Sequence, residues 1–119
     1  MKKINADLDS LKKAIDVLNS EIQELKRLKK CDDNIYYFDM QKLEEKIEKL
    51  LEIKVKIVQA IEKIDNVYER AVLRYRYICN LKWKEIEKKM GYSHRSVFRF
   101  EKRGKKKVNK ILKKFDFRL

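Results

Sequence analysis

From Ile4 to Leu25 the apolar residues fall at Ile4, Leu8, Leu11, Ile15, Leu18, Ile22 and Leu25, in an unbroken alternation of four- and three-residue steps. Only an α-helix returns residues at that spacing to one side, and the strict alternation makes a heptad seam. β-Branched Ile15 and Ile22 at one seam position, with Leu11, Leu18 and Leu25 at the other, suit pairwise packing against a helix of the same chain or of a second copy. A helix of roughly 27 residues here is about 40 Å long. The chain of 119 residues has no proline and only 2 glycines, so few points can turn it sharply. The expected fold class is all-α.

The run Asp32-Asp33-Asn34 breaks the seam. Asp39 suits the N-cap of the next helix, and Phe38 and Leu43 are spaced as a hydrophobic staple, so residues 31–38 read as the loop. The seam resumes at Met40, Leu43, Ile47, Leu50, Lys54, Ile57, Ile61 and Ile64, with Lys54 its one interruption. Two comparable helices and a short loop predict an antiparallel, coiled-coil-like hairpin over residues 1–64. Leu51, Val55 and Val58 lie off that seam and need other cover, from a second copy or from the rest of the chain. The first option makes residues 1–64 a homodimerisation element.

Charge divides the chain at the same place. Residues 1–64 hold 14 Lys/Arg and 13 Asp/Glu, whereas residues 65–119 hold 18 and 6, so almost all of the formal net charge of +13 belongs to the second part. A basic surface confined to one half points to a polyanion, and to nucleic acid before a membrane surface. Cys31 and Cys79 belong to no CxxC pair or Cys/His cluster, which argues against a metal site and a disulfide framework. With one His, no Ser/His/Asp or Cys/His pattern and no phosphate-binding glycine loop, neither an enzyme nor a cofactor is expected. The chain shows no long apolar run and no signal-like N-terminus, so the expected compartment is the cytoplasm, with no membrane association and with reduced thiols.

Residues 65–119 carry the functional signal. Asn66-Val67-Tyr68-Glu69 fits a capping box opening a helix whose apolar face is Val67, Ala71, Val72, Tyr75 and Ile78. Asn80-Leu81-Lys82 then connects to a short amphipathic helix marked by Trp83, Ile86 and Met90, with Trp83 as a core anchor. Gly91 suits a left-handed helix end and Ser93 a helix start. Beyond it Val97, Phe100 and Gly104 form an inward stripe, while His94, Arg95, Phe98, Arg99 and Lys102 face outward. Two amphipathic helices joined in this way are a helix-turn-helix signature. Arginines on the first turns of such a helix reach guanine O6 and N7 in the major groove, and Phe98 is placed either to touch a thymine methyl or to cover a neighbouring helix. His94 suits phosphate or solvent as well as a base. From Lys105 to Lys107, with Lys110, Lys113 and Lys114, the chain should continue as a basic amphipathic helix for phosphate contact, Gly104 marking a bend or a close packing point.

The segment VLRYRYICNLKWKEIEKKMGYSHRSVFRFEKRGKKKV, residues 72–108, resembles region four of bacterial sigma factors, the helix-turn-helix that reads the promoter −35 element. The matching features are the Leu/Arg/Tyr helix, Glu85-Ile86 in the first motif helix, Met90-Gly91-Tyr92-Ser93 at the turn, and Val97 followed by Glu101-Lys102-Arg103. In size and layout the chain is similar to small phage and prophage late-transcription regulators of the ArpU and RinA type. The resemblance implies double-stranded DNA as partner, with RNA polymerase as a possible second one. It places His94, Arg95, Phe98 and Arg99 at base-reading positions and Ser93, Lys102 and Arg103 near the backbone; the basic extension, read from its charge, adds Lys106 for phosphate contact. Lys82 stands where a hydroxyl cap is usual, and Glu87 where the family favours a small residue between the motif helices; Phe98 and Arg99 replace the usual Arg and Gln. The chain has no counterpart of the sigma regions that bind and melt −10 DNA. Two other expectations compete with transcription control: a DNA-packaging subunit resembling a small terminase, and an adaptor that contacts RNA polymerase without reading DNA.

Overall fold

The computed structural model describes residues 4–29 and 36–117. The elements are α1 (Leu8–Lys29), α2 (Tyr36–Glu62), α3 (Val67–Leu73), a π-helical turn (Arg74–Ile78), α4 (Trp83–Met90) and α5 (His94–Leu112), and no strand occurs among the described residues. No helix of the described residues is long and apolar enough to cross a membrane.

α1 and α2 form the antiparallel hairpin that the seams predict. Leu8, Leu11, Leu18 and Ile22 of α1 are buried against Leu43, Leu50, Ile57, Ile61 and Ile64 from α2 and its C-terminal end, each such side chain contributing about 1.5–3 kcal/mol on burial. Lys46 and Glu21 pair across the hairpin. The structure corrects three details. α1 begins at Leu8 rather than Ile4, because Asp7 accepts from the Ser10 backbone N–H at 2.8 Å and from its hydroxyl at 2.9 Å, capping the helix there. α2 begins at Tyr36, so residues 36–38 are helical and Asp39 lies within the helix rather than at its cap. The seam runs through buried Ile53, leaving Lys54 exposed. Leu50, Ile53, Ile57, Ala60 and Ile64 are buried at steps of three and four, so the helix turns the apolar neighbour of Lys54 inward and keeps its heptad spacing without burying a charge. Residues 31–35 of the expected loop, Cys31 and the Phe38 half of the staple lie outside the described residues and side chains.

Asn66 caps α3 by accepting from the Glu69 N–H at 3.0 Å. The Glu69 carboxylate is turned to Lys107, at 2.7 Å, instead of closing the expected capping box. The predicted α3 face also shifts: Val72 and Leu73 are buried, while Val67 and Ile78 are exposed. Beyond Leu73 the turn widens, with the Cys79 N–H donating five residues back to the Arg74 carbonyl at 2.9 Å, which rotates Ile78 away from the core. Asn80, at φ +56°, ends the turn in the left-handed region, where Asn is among the better tolerated non-glycine residues.

One core joins the two parts of the chain. Leu73, Val108, Leu112 and Phe117 belong to the same buried cluster as the hairpin residues, whereas Val72, Ile86 and Val97 form a small second cluster beneath the helix-turn-helix. Gly104 marks a close packing point. A β-carbon there would lie 2.9 Å from Leu73 Cδ1 and 3.3 Å from Glu69 Cβ. The start of α1 is hydrogen-bonded to the C-terminal region: the Leu8 N–H donates to Asn109 Oδ1 at 2.9 Å and the Ile4 N–H to the Phe117 carbonyl at 3.0 Å. Asp9 accepts from Lys105 at 3.1 Å and from the Tyr77 hydroxyl at 3.2 Å, and Lys105 also reaches Glu101 at 2.9 Å.

Burial and the Glu101 and Asp9 carboxylates push the Tyr77 phenol up to about 12. Burial opposes the Lys105 ammonium, but its hydrogen bonds to Glu101 and Asp9 hold its pKa above the ordinary value. Both folded-state values are raised, so both contributions to stability are complete below the unfolded pKa values and are lost as pH climbs through the folded ones. Unfolding free energy should therefore fall above about pH 10, where an unfolded Tyr begins to ionise. Tyr77→Phe should make that fall shallower in urea titrations at stepped pH, and an unchanged alkaline slope would contradict this account of the junction. Replacing Gly104 with Val should cost about 1–3 kcal/mol through overpacking against Leu73, measurable in the same titrations.

Candidate nucleic-acid interface

The turn between α4 and α5 is chemically specified. The Lys82 backbone N–H donates to Glu85 at 3.4 Å at the start of α4, and because a lysine ammonium has no acceptor, this end has no hydroxyl-type cap. Gly91 ends α4 at φ +69° with open space around its α-carbon, so backbone conformation alone calls for glycine there. The Ser93 hydroxyl then accepts from the Ser96 N–H at 3.3 Å and opens α5. Beneath the turn Ile86 and Val97 are fully buried, with Trp83, Met90 and Phe100 packed around them. Trp83 serves as the expected core anchor while remaining partly open.

α5 sorts its side chains by face. Val97, Glu101, Gly104, Val108 and Leu112 are buried, and Ser93, His94, Arg95, Phe98, Arg99, Lys102, Arg103 and Lys106 are all exposed. Steps of four, three and four carry Arg95, Arg99, Lys102 and Lys106 along one line opposite the buried stripe, with Arg103 beside it. Ser93 sits at the N-terminal end of that line. None of those five basic side chains enters an ion pair among the described residues. Other cations of the same half are held internally. Lys105 is divided between Glu101 and Asp9, Lys107 is paired with Glu69, Arg74 is paired with Glu62, and Arg70 donates to the Ile64 carbonyl at 2.8 Å. The basic charge of the second half therefore has a structural part and an uncommitted part. The uncommitted part faces away from the core, where it creates a positive field without neutralising partners.

His94 and Phe98 stand apart from this line, on the side of α5 nearest α4. The Phe98 ring packs on Trp83 with centroids 4.5 Å apart and on His94 at 4.3 Å. His94 Nδ1 lies 3.1 Å from Glu87 Oε2, so Glu87, where a small residue was the family expectation, bridges the motif helices. Arg76 lies over the Trp83 ring at 4.8 Å and donates to the Leu81 carbonyl at 3.1 Å. The opposite flank carries a second aromatic group, in which Tyr68 stacks on Phe100 at 5.4 Å and meets Tyr92 edge-on at 5.3 Å. Sequence reasoning assigns no role to Arg76, marks Glu87 only as a departure from the family pattern, and places Tyr68 and Tyr92 only as members of the capping box and the turn. Glu87 and His94 straddle the turn, a detectable signal, whereas Tyr68 is brought to Tyr92 and Phe100 only by the folding of α3 across α5.

A family model described as "Protein of unknown function (DUF1492)" matches residues 17–109. The chain belongs to that family. The matched span begins within α1 and ends within α5, so the DUF1492 unit includes most of the hairpin together with the helix-turn-helix. No curated protein and no solved structure matches the chain.

Lys106 and Lys107 are adjacent residues of like charge with different environments. Lys107→Ala leaves a buried Glu69 carboxylate without its partner and should cost about 1–2 kcal/mol, a figure reduced for the solvent exposure of Lys107 itself. Lys106→Ala should leave stability within about 0.5 kcal/mol. Parallel thermal and urea denaturation of the two variants checks the assignment, and equal losses would contradict it.

Proposed function

We propose that this chain is a sequence-specific double-stranded DNA-binding transcription regulator that lays α5, from Ser93 onward, in the major groove. The carrying observation is the line Arg95, Arg99, Lys102, Arg103 and Lys106, exposed, without an ion pair among the described residues and set on a helix held by a helix-turn-helix. Arg95 and Arg99, on the first turns, are in place for guanine edges; Lys102, Arg103 and Lys106, farther along, are in place for phosphates. Resemblance to sigma region four favours transcription control, in the manner of small phage and prophage regulators, and makes RNA polymerase a candidate second partner. The reading includes pairing of two copies through residues 1–64, for which Leu51, Val55 and Val58 of α2 offer an open apolar stripe with relative exposures of 54%, 52% and 36%.

Fluorescence anisotropy with duplexes selected from a random pool tests the reading. With about six phosphates neutralised, the logarithm of affinity should fall with the logarithm of salt at a slope of about −5. Arg99→Ala should flatten sequence preference, whereas Lys106→Ala should weaken all duplexes alike. Absence of binding to any duplex at low salt would falsify the proposal. Light scattering should give a dimer; a large ring would favour a packaging subunit instead.

A further inference from the structure

Phe98 is the one apolar side chain among the outward residues of α5 from His94 to Lys102, and its surroundings differ from those of the basic line. Trp83 contacts it from α4 and His94 contacts it from one turn earlier, yet 38% of the residue remains exposed. The ring's neighbours are themselves held. Arg76 covers Trp83, and Glu87 meets His94. Phe98 therefore does cover the neighbouring helix, one of the two roles open to it from sequence, and that cover immobilises the ring without hiding it. A ring already fixed loses little side-chain freedom when it meets a ligand. Phe98 stands on the α4 side of α5, three residues after Arg95 and one before Arg99, so the partly open ring and the arginines placed for base reading occupy the same two turns of the helix. Among the groups that base pairs present in the major groove, the thymine 5-methyl is the apolar one.

We infer that Phe98, clamped between Trp83 and His94, reads the 5-methyl group of a thymine next to the bases contacted by Arg95 and Arg99. This rests on the DNA-binding reading above and narrows its substrate to duplexes carrying thymine at a defined place. The contact is apolar and supplies discrimination that phosphate-directed lysines do not. Trp83 has a double part in it, as an anchor of the small core and as the support that fixes the reading ring.

The experiment replaces each thymine of a duplex selected from a random pool, one at a time, with deoxyuridine, which removes the methyl and keeps base pairing. The wild-type chain should lose affinity by about 4-fold at one position, the value of one buried methyl-sized group, and Phe98→Ala should bind the two duplexes equally. A measurement that leaves the protein unaltered accompanies it: 5-iododeoxyuridine at that position should photocrosslink to Phe98, read by mass spectrometry of the peptide. If every deoxyuridine duplex binds like its thymine parent, if Phe98→Ala retains the discrimination, or if the crosslink maps to another residue, the inference is overturned and the DNA-binding proposal stands. If no duplex is bound at low salt, both fail together.

Discussion

α3 meets α5 at Gly104, where no side chain separates the helices and a β-carbon would stand 2.9 Å from Leu73 Cδ1. Much of the architecture depends on that approach. It places Leu73 in the large core shared with the hairpin while Val72, one residue earlier, enters the small core under the helix-turn-helix. It also brings Glu69 within 2.7 Å of Lys107, so that the buried carboxylate has a cation. Burying a carboxylate without a partner costs several kcal/mol. The glycine is thus useful for what it omits, and the usual penalty of about 1 kcal/mol for glycine in a helix interior is offset by contacts that any larger residue would displace.

α5 serves both cores in one continuous helix. Val97 packs below the turn, Val108 and Leu112 pack against the hairpin, and Asn109 accepts the first backbone N–H of α1. A helix fixed at both ends presents its outer face as a rigid surface, and preorganisation of this kind lowers the ordering cost of binding. The same helix separates its cations by role. Lys105 and Lys107 lie close enough to the core to meet Glu101, Asp9 and Glu69, while Arg95, Arg99, Lys102 and Lys106 enter no ion pair among the described residues. Aromatic groups border the free line on both sides, Trp83 and Phe98 towards α4, Tyr68, Tyr92 and Phe100 towards α3.

Local rules of spacing and capping made the helical hairpin, the glycine end of α4, the serine start of α5 and the outward set from Ser93 to Lys106 legible in the sequence. Those features depend on residues within one or two turns of each other, and a 3.6-residue period reports them directly. The apolar spacing continues back to Ile4, but the Asp7 cap overrides it and starts α1 at Leu8. Extending the three- and four-residue steps from Met40 reaches Lys54, whereas buried Leu50, Ile53, Ile57, Ala60 and Ile64 keep the same spacing in a neighbouring register that leaves the ammonium in solvent. The π-helical widening at Arg74–Ile78 left no periodic trace, and the exposure of Ile78 followed from it.

By itself the sequence determined which segments are helices, where the helix-turn-helix lies and that its charge is basic, since propensity, caps and composition are properties of neighbours along the chain. Only the tertiary structure decided which cations are free. Lys106 and Lys107 are indistinguishable in the string, and they separate because one step of about 100° around α5 turns Lys107 towards Glu69, a residue 38 positions earlier, and leaves Lys106 in solvent. The same holds for Phe98, whose support by Trp83 arises where α4 folds back against α5. Contacts between residues distant in sequence depend on how helices cross, and no local pattern encodes that crossing.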